Sequence, residues 1–303
     1  MITVQNLSKK YKKKLAVDDL SFTVSTGKVT GFLGPNGAGK STTMRLMLGL
    51  DHGGGKTLFD EQPLYEHPQP ARVAGMLLEA KAFHPTRSAQ NHLRILADAG
   101  GIPLSRVDEV LDIVGLKDVA RKGPGKFSLG MSQRLGIAAA LLGEPQYLIL
   151  DEPANGLDPE GIAWLRQFIK DYADKGNAVF ISSHLLSEMA QMADDIIVIG
   201  KGKMIAQGSV DEIIAKGTGA GVLVRSSEKT KLKQILQDKQ AKFTAFEGGF
   251  KVTGMTTDEV GKLLFGAGLP VLELSREQAS LEEAFLEMTA GSEEFGTKKE
   301  GQR

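Results

Sequence analysis

One nonapeptide constrains the fold of this chain more than any other feature: residues 34–42 are Gly-Pro-Asn-Gly-Ala-Gly-Lys-Ser-Thr. The apolar residues 29–33 precede it and the helical pattern of residues 43–48 follows it, which is the strand–loop–helix order of a phosphate-binding loop. The glycines let backbone N–H groups surround a phosphate, and a helix N-terminus adds a positive dipole. Lys40 is expected to reach the β- and γ-phosphates and Ser41 to offer its hydroxyl to Mg²⁺. An ordinary glycine-rich turn is the alternative, which the flanking strand and helix disfavour.

The nine residues of this loop are the predicted nucleotide-binding residues. They are Gly34, Pro35, Asn36, Gly37, Ala38, Gly39, Lys40, Ser41 and Thr42. The chain is therefore predicted to bind a nucleoside triphosphate.

A second apolar stretch, Tyr147–Leu150, ends on two adjacent carboxylates, Asp151 and Glu152. The carboxyl ends of parallel strands share one edge of the sheet, so we expect this pair beside the phosphate-binding loop. Asp151 suits the coordination shell of Mg²⁺, and Glu152 can polarise an attacking water as general base. An exposed acidic pair at a strand end is the alternative.

Short apolar strands alternate with longer helical patterns from residue 1 to about residue 215, which is typical of an α/β fold. Strands are predicted at residues 29–33, 73–78, 147–150, 179–183 and 195–199, with half-exposed antiparallel strands at 21–24 and 203–206. Helices are predicted at residues 89–99, 105–114 and 133–142, with Ser105 and Asp108 capping the second one. These helices predict a helical insertion over about residues 86–145.

A glycine-rich segment, residues 217–221, predicts a joint between two domains. Beyond it the predicted order is strand, helix, strand, strand, helix, strand, at residues 222–225, 229–239, 242–246, 250–253, a helix capped by Thr256 and Glu259, and 271–274. That order is the ferredoxin-like arrangement. A last helix, capped by Ser280 and Glu283, is followed by a polar tail. We predict a nucleotide-binding domain over 1–216, an accessory domain over 220–290 and a disordered tail over 291–303.

Composition excludes several classes of protein. Among 303 residues, 37 are Lys or Arg and 37 are Asp or Glu, so the chain lacks the basic excess typical of nucleic-acid-binding proteins. The chain has no cysteine, which excludes disulfides, thiolate metal sites and cysteine nucleophiles. No apolar run approaches the ~20 residues that cross a bilayer, and the amino end lacks a signal-peptide pattern. We therefore expect a cytoplasmic chain without a membrane span and without a nucleic-acid partner.

Between the two motifs, residues 127–134 are Phe-Ser-Leu-Gly-Met-Ser-Gln-Arg. With the phosphate loop and the acidic strand, this segment resembles the signature of ATP-binding-cassette (ABC) ATPases, and the likeness extends from residue 1 to about 215. The resemblance implies a P-loop NTPase domain with a helical insertion. It also implies that Ser128 and Gly130 contact the γ-phosphate of ATP bound to the opposite subunit. The family's usual Leu-Ser-Gly-Gly-Gln departs here to Phe-Ser-Leu-Gly-Met, and an ordinary helix N-cap is the alternative.

Further site residues follow from the same resemblance. Residues 154–159 resemble the D-loop, which would place Asp158 at the contact between two subunits. His184 occupies the place of the switch histidine that hydrogen-bonds the γ-phosphate, with a role at the start of the next helix as the alternative. Tyr11 occupies the place of the aromatic residue that stacks on adenine. The lysine-rich segment around it is either a solvated loop or a patch that attracts ATP or faces lipid.

Glu79 marks a departure from the family, whose loop at this position normally carries glutamine. A carboxylate can still bind Mg²⁺ and orient water, but it adds a negative charge near the triphosphate. The alternative is that Glu79 faces solvent.

The resemblance implies the ATP-binding and ATP-hydrolysing subunit of a membrane exporter, in the drug, peptide and antibiotic-resistance branch. ATP and Mg²⁺ are the expected cofactors. A homodimer, or a dimer with a paralogue, would close on two ATP molecules and drive a separately encoded transmembrane permease from the inner face of the cell membrane. The alternatives are a soluble ABC ATPase acting on ribosomes or nucleic acid, and a regulatory ATPase partner with weak hydrolysis.

Overall fold

The computed structural model describes residues 1–216, 221–246, 248–277 and 280–290. The chain divides into two compact units, the first over Met1–Val210 and the second over Asp211–Met288. The predicted tail and most of the glycine-rich joint lie outside the described residues.

Strands and helices alternate through most of the first unit. Its strands are β1 (Ile2–Tyr11), β2 (Lys14–Val24), β3 (Lys28–Leu33), β4 (Gly54–Phe59), β5 (Ala74–Leu77), β6 (Tyr147–Leu150), β7 (Ala178–Ser182), β8 (Asp195–Gly200) and β9 (Lys203–Ser209). Its helices are α1 (Lys40–Met47), α2 (Pro70–Val73), α3 (Ala89–Ala99), α4 (Ser105–Ile113), α5 (Leu129–Leu141), α6 (Pro159–Asp174) and α7 (Leu186–Met192), and α8 (Val210–Lys216) follows at the boundary. Short 3₁₀ turns occur at Leu64–Glu66, Lys117–Val119 and Pro124–Lys126.

A six-stranded sheet in the order β5-β6-β7-β3-β8-β9 organises the first unit. Its strands are parallel except β9, which pairs antiparallel with β8. The inner strands are apolar along nearly their whole length because both faces of the sheet are covered. The predicted α/β class with a parallel sheet is confirmed.

A second sheet, antiparallel in the order β2-β1-β4, packs on the parallel sheet through aromatic rings. The ring of Phe22 on β2 lies 5.8 Å from that of Phe32 on β3 and 5.6 Å from that of Phe180 on β7, between centroids. All three side chains belong to the buried core. This packing fixes β3, and hence the loop that follows it, against the rest of the unit.

The helices between β5 and β6 differ from prediction at their ends. The predicted cap at Ser105 and Asp108 is wrong, because Leu104 is the N-cap of α4 and carries no side-chain cap bond. Leu104 is already helical in φ and ψ, so the Ser105 hydroxyl lies inside the first turn. Helix α5 begins at Leu129, four residues before its predicted start, because the side chain of Ser128 caps it.

Strand β5 is shorter than the predicted strand over residues 73–78. Pro70 begins the short helix α2, which ends at Val73, so the strand runs over Ala74–Leu77. Proline favours the first turn of a helix because it lacks the N–H that would have no partner there.

The second unit contains β10 (Gly221–Arg225), α9 (Lys229–Asp238), β11 (Lys242–Phe246), β12 (Gly249–Thr253), α10 (Thr257–Gly266), β13 (Glu273–Glu277) and α11 (Leu281–Thr289). Its sheet is antiparallel in the order β11-β12-β10-β13 and has its own apolar core. The capping boxes predicted at Thr256 with Glu259 and at Ser280 with Glu283 are confirmed. The last strand begins at Glu273 rather than at residue 271, and Leu272 before it is exposed.

Candidate functional site

The phosphate-binding loop joins β3, the fourth strand across the parallel sheet, to helix α1. Gly39 is the N-cap of α1 and adopts φ 107°, and a Cβ there would lie 2.4 Å from the carbonyl oxygen of Ala16. Only glycine therefore fits at this position. Residues 35–42 line a cleft of about 400 Å³ together with Tyr11, Asp151 and Glu152.

Lys40 begins helix α1 and is buried, with 8% of its surface exposed. Its Nζ donates a hydrogen bond to the carbonyl oxygen of Gly34 at 2.6 Å, across the loop. Burial lowers the pKa of Lys40 below its usual value, and the carboxylates of Glu152 and Asp151 oppose that shift. The buried ammonium group therefore has too little negative charge around it. A triphosphate in the cleft would supply that charge.

The predicted acidic pair lies at the carboxyl end of β6, where it lines the same cleft. A hydroxyl on the neighbouring strand β7 links the two residues. Ser182 Oγ donates a hydrogen bond to Asp151 Oδ1 at 2.5 Å and accepts one from the backbone N–H of Glu152 at 2.9 Å. The expected placement of this pair beside the phosphate-binding loop is confirmed.

His184 follows the end of β7 and contacts Glu152 directly. The backbone N–H of His184 donates to Glu152 Oε2 at 3.1 Å, and its ring Nδ1 lies 2.7 Å from the same oxygen. An ionised carboxylate only accepts hydrogen bonds, so Nδ1 is the donor. Of the alternative roles at the start of the next helix, the N-cap is wrong, since Leu185 is the N-cap of α7, but His184 does directly precede that residue.

Tyr11 lies at the mouth of the cleft and is about half exposed. Its hydroxyl donates to Asp51 Oδ2 at 2.9 Å, and the Arg45 guanidinium contacts the same carboxylate oxygen at 3.2 Å. The hydrogen bond to Asp51 raises the pKa of Tyr11. Lys9 Nζ lies 5.0 Å from the centre of the ring. The ring is therefore held at one end and offers a flat surface beside the loop.

Glu79 lies outside the lining of that cleft and is exposed. It lines a neighbouring cavity of about 510 Å³, which also includes Ser41 and Asp151. The three residues predicted to bind metal therefore share one cavity.

Ser128, Gly130 and Asp158 do not line the cleft. Ser128 Oγ accepts the N–H of Met131 at 3.1 Å as the N-cap of α5, and Asp158 Oδ1 accepts the N–H of Gly161 at 2.8 Å as the N-cap of α6. Gly130 packs on the loop before Asp158, where a Cβ would lie 2.9 Å from the carbonyl oxygen of Gly156. The helix-cap alternative for Ser128 is thus confirmed, and contact with a nucleotide on another subunit stays a prediction.

Two polar residues beside Glu152 escaped sequence reasoning, namely Ser182 and Gln133. Gln133 Nε2 donates to the backbone carbonyl of Glu152 at 3.1 Å. Both residues are buried. The available signal for Ser182 was a polar residue at the end of an otherwise apolar strand, since buried polar groups need partners. Gln133 lies between two other polar residues of α5, so the sequence offered no such signal for it.

Three models of protein families match parts of this sequence. A model described as ABC transporter matches residues 17–155, and one described as an AAA domain matches residues 123–190. A further model, a domain of unknown function, matches residues 220–282.

Whole-length relatives agree with that match. The bacitracin transport ATP-binding protein BcrA of Bacillus licheniformis is 36% identical over 310 residues, covering 96% of this chain and 98% of the relative. The lantibiotic transport ATP-binding protein SrtF of Streptococcus pyogenes is 38% identical over 212 residues, covering 70% and 92%.

Solved structures share the fold of the first unit. A structure of the ATP-binding subunit of an ABC transporter has a TM-score of 0.65 and 29% identity, covering 71% of this chain and 92% of that one. A dimeric ATP-binding cassette with bound ADP and Pi has a TM-score of 0.63 and 22% identity, covering 69% and 99%.

The chain belongs to the ABC transporter family, as one of its ATP-binding and ATP-hydrolysing subunits. Within that family it falls in the branch of the bacitracin and lantibiotic transport proteins, so the predicted antibiotic-exporter branch is confirmed.

Proposed function

We propose that this chain powers the export of a peptide antibiotic, or of a drug of similar size, by hydrolysing ATP at the inner face of the cell membrane. The observation that carries the proposal is the convergence of Lys40, Asp151, Glu152 and His184 at one edge of the sheet. Export of this cargo rests on the whole-length likeness to a bacitracin transport protein.

ATP would enter the cleft with its phosphates on the loop and its base at the mouth. Lys40 Nζ, which bonds Gly34 in the present structure, would turn to the β- and γ-phosphate oxygens. The ring of Tyr11 would stack on adenine, a contact worth ~1–3 kcal/mol by analogy with base-stacking platforms.

The residues present fit a magnesium ion. Ser41 and Asp151 both line the cleft and offer a hydroxyl and a carboxylate oxygen, the ligand type that Mg²⁺ prefers. Glu79 joins them in the neighbouring cavity and is a further candidate ligand. When bound, Mg²⁺ would neutralise negative charge that develops on the phosphate oxygens.

Glu152 would accept the proton of the attacking water, and His184 would hydrogen-bond the γ-phosphate. The contact between His184 Nδ1 and Glu152 Oε2 restricts the hydrogen bonds that the His184 ring can make to the phosphate. A neutral His184 ring that donates from Nδ1 to Glu152 leaves Nε2 without a proton for the phosphate. A hydrogen bond from His184 Nε2 to the γ-phosphate therefore requires either a second proton on the ring or the loss of the Nδ1 contact.

A second ATPase subunit completes the site in this proposal. Ser128 and Gly130 lie away from the cleft of their own chain, so a partner subunit would have to present its own signature segment to the nucleotide. A dimeric cassette among the structures that share the fold supports this arrangement. The partner is a second copy of this chain or a paralogue.

A separate permease supplies the membrane path. In the described part of the chain, every helix is too short or too polar to cross a bilayer. Relatives named as ATP-binding proteins of transport systems support a separate membrane subunit. Action on ribosomes or nucleic acid is not favoured, since charges balance at 37 and 37. A weakly hydrolysing regulatory role is not favoured either, since Glu152 and His184 are both in place.

The substitution Glu152→Gln tests this function. The variant should bind ATP normally, hydrolyse it ~10²-fold more slowly or worse, and accumulate as an ATP-stabilised dimer. Turnover by steady-state phosphate release and assembly by light scattering are the measurements. The exposed Glu66→Gln is the matched control and should behave as wild type. Equal turnover of Glu152→Gln and wild type would remove Glu152 from the role of general base.

A further inference from the structure

Glu152 has an unusual backbone conformation for a residue with a side chain. Its φ is 50°, in the left-handed region, which non-glycine residues seldom adopt and which surrounding contacts must hold in place. Such conformations cluster where a side chain has to be aimed. The question is which groups hold this one.

Two side chains bond the two polar backbone groups of Glu152. Ser182 Oγ accepts its N–H at 2.9 Å, and Gln133 Nε2 donates to its carbonyl oxygen at 3.1 Å. The residues come from different elements, Ser182 from the end of β7 and Gln133 from α5. The peptide groups on both sides of the Glu152 Cα are therefore fixed.

The oxygen of the buried Gln133 amide does not contribute to stability. Only 4% of Gln133 is exposed, and its Oε1 is buried without a hydrogen-bond partner among the described residues. An unsatisfied buried acceptor destabilises a fold, and an apolar side chain of the same length would avoid that cost. Within the part of the chain that the structure describes, the one bond that Gln133 makes through this amide is to Glu152.

Both residues also connect Glu152 to other parts of the site. The Ser182 hydroxyl donates to Asp151 Oδ1 at 2.5 Å, so one oxygen joins the acidic residue expected at the metal to the backbone of the expected base. Gln133 lies one turn into the helix that Ser128 caps, so the same helix carries the signature segment and touches Glu152.

We propose that Ser182 and Gln133 are positioning residues that hold Glu152 in its left-handed conformation and thereby aim its carboxylate at the attacking water. The proposal rests on the proposed function, in which Glu152 is the general base. Without either bond the backbone relaxes toward the common helical or extended region, and the carboxylate leaves its position. The chemical step slows, whereas nucleotide binding on the loop of residues 34–42 does not depend on these bonds.

The variants Gln133→Met and Ser182→Ala in the full-length chain test the proposal. Each should lower kcat on the order of 10-fold, the scale of a misplaced catalytic group, with KM for ATP nearly unchanged. Gln133→Met should not lower the melting temperature, because it removes the unsatisfied Oε1. Ser182→Thr keeps the hydroxyl and should recover most of the lost kcat.

Matched controls separate positioning from packing. Ser226→Ala removes another buried hydroxyl that accepts a backbone N–H, and Gln90→Met removes an amide from the neighbouring helix α3. Both should leave kcat at the wild-type value. A loss of kcat in these controls as large as in the test variants would overturn the proposal.

Combination with Glu152→Gln distinguishes this proposal from the function on which it rests. If Ser182 and Gln133 act through Glu152, adding Ser182→Ala or Gln133→Met to Glu152→Gln causes no further loss of kcat. An unchanged kcat in Glu152→Gln would refute the role of the base itself. A low kcat in Glu152→Gln with wild-type kcat in Gln133→Met would refute only the positioning role.

Discussion

The two units of this protein both contain a sheet that contributes to an apolar core, yet their strand directions differ and so does what collects at the strand ends. In the first unit the parallel strands β3, β6 and β7 all end at one edge. That edge gathers Lys40, Asp151 and His184, although Lys40 lies more than a hundred residues before the other two in the chain. In the second unit the strands are antiparallel, so neighbouring strands end at opposite edges. Strand direction thus decides where a multi-residue site can form.

The polar groups of the two units differ in the same way. In the first unit, buried Gln133 bonds Glu152, 19 residues away, and its Oε1 has no partner among the described residues, while burial lowers the pKa of Lys40. In the second unit, polar side chains serve their own surroundings: Thr256 and Glu259 cap one helix, and Ser226 Oγ accepts the N–H of Glu228. Polar groups that do not improve local stability therefore mark the functional unit.

Lys40→Met should produce the largest effect. A unit charge ~4 Å from a phosphate interacts by ~4 kcal/mol at an effective dielectric of ~20, so ATP affinity should fall 10²-fold or more. The nucleotide-free protein should be at least as stable as wild type, because the lowered pKa shows that the site disfavours the charge. Calorimetric titration with ATP and thermal unfolding without it are the measurements.

The pH dependence of this stability gain has a defined sign. Lys40 is charged below its lowered pKa, so the gain is complete there and fades as pH rises through that pKa toward the ordinary lysine pKa of 10.5. Lys170→Met, at an exposed lysine of α6, is the control and should change neither ATP affinity nor stability measurably. A destabilised Lys40→Met would show that the buried ammonium supports the fold.

Removal of the second unit tests the comparison directly. We propose that this unit performs no chemistry and tunes assembly of the ATPase pair or its pairing with the permease. A chain ending at residue 216 should fold and bind ATP with wild-type affinity, while transport in reconstituted vesicles falls. Loss of ATP binding in a truncated chain that remains folded by circular dichroism would show that the division of labour is wrong.

Glu79→Gln should have a smaller effect, which appears in the ratio of ATP affinity with Mg²⁺ to ATP affinity with a chelator. If Glu79 faces the triphosphate, its charge is compensated by Mg²⁺, which a carboxylate binds better than an amide does. The substituted protein should then hold metal-free ATP more tightly, and its affinity should depend less on Mg²⁺. ATP affinities of both proteins with Mg²⁺ and with a chelator decide the matter, and matching ratios would place Glu79 in solvent.

Thr256→Ala should leave ATP turnover unchanged, which is the smallest effect expected among these variants. Loss of the helix cap should lower the unfolding free energy of the second unit by ~1 kcal/mol. Denaturant unfolding and hydrogen exchange over α10 measure that change, and Thr230→Ala at an exposed helical position is the control. A clear loss of ATPase activity in a folded Thr256→Ala protein would break the separation of the two units.

Short-range signals carried most of the predictions that succeeded. The loop of residues 34–42 and the capping box at Thr256 are each encoded within a few neighbouring residues, and both are found where expected. The cap at Ser105 failed for a local reason, since the turn before it already supplies backbone bonds to Arg106 and Val107. Propensity alone does not reveal when a backbone turn has taken the place of a side-chain cap.

Long-range contacts explain the rest of what was missed. Ser182 bonds a residue 30 positions away and Gln133 one 19 positions away. Their contribution depends on strand order and on the packing of α5, which spacing along the chain does not specify. The left-handed backbone of Glu152 is hidden for the same reason, because no local pattern requires it.

The position of β3 in the sheet also determines when the protein can acquire its nucleotide site during synthesis. Its partners are β7 and β8, so residues 28–33 must wait for residues 178–182 and 195–198 to leave the ribosome. At ~5–20 residues per second, that wait lasts on the order of ten seconds or more. Throughout this interval an apolar segment and a glycine-rich loop remain without their flanking strands. The nascent chain is therefore most vulnerable to aggregation and proteolysis before its last parallel strand emerges.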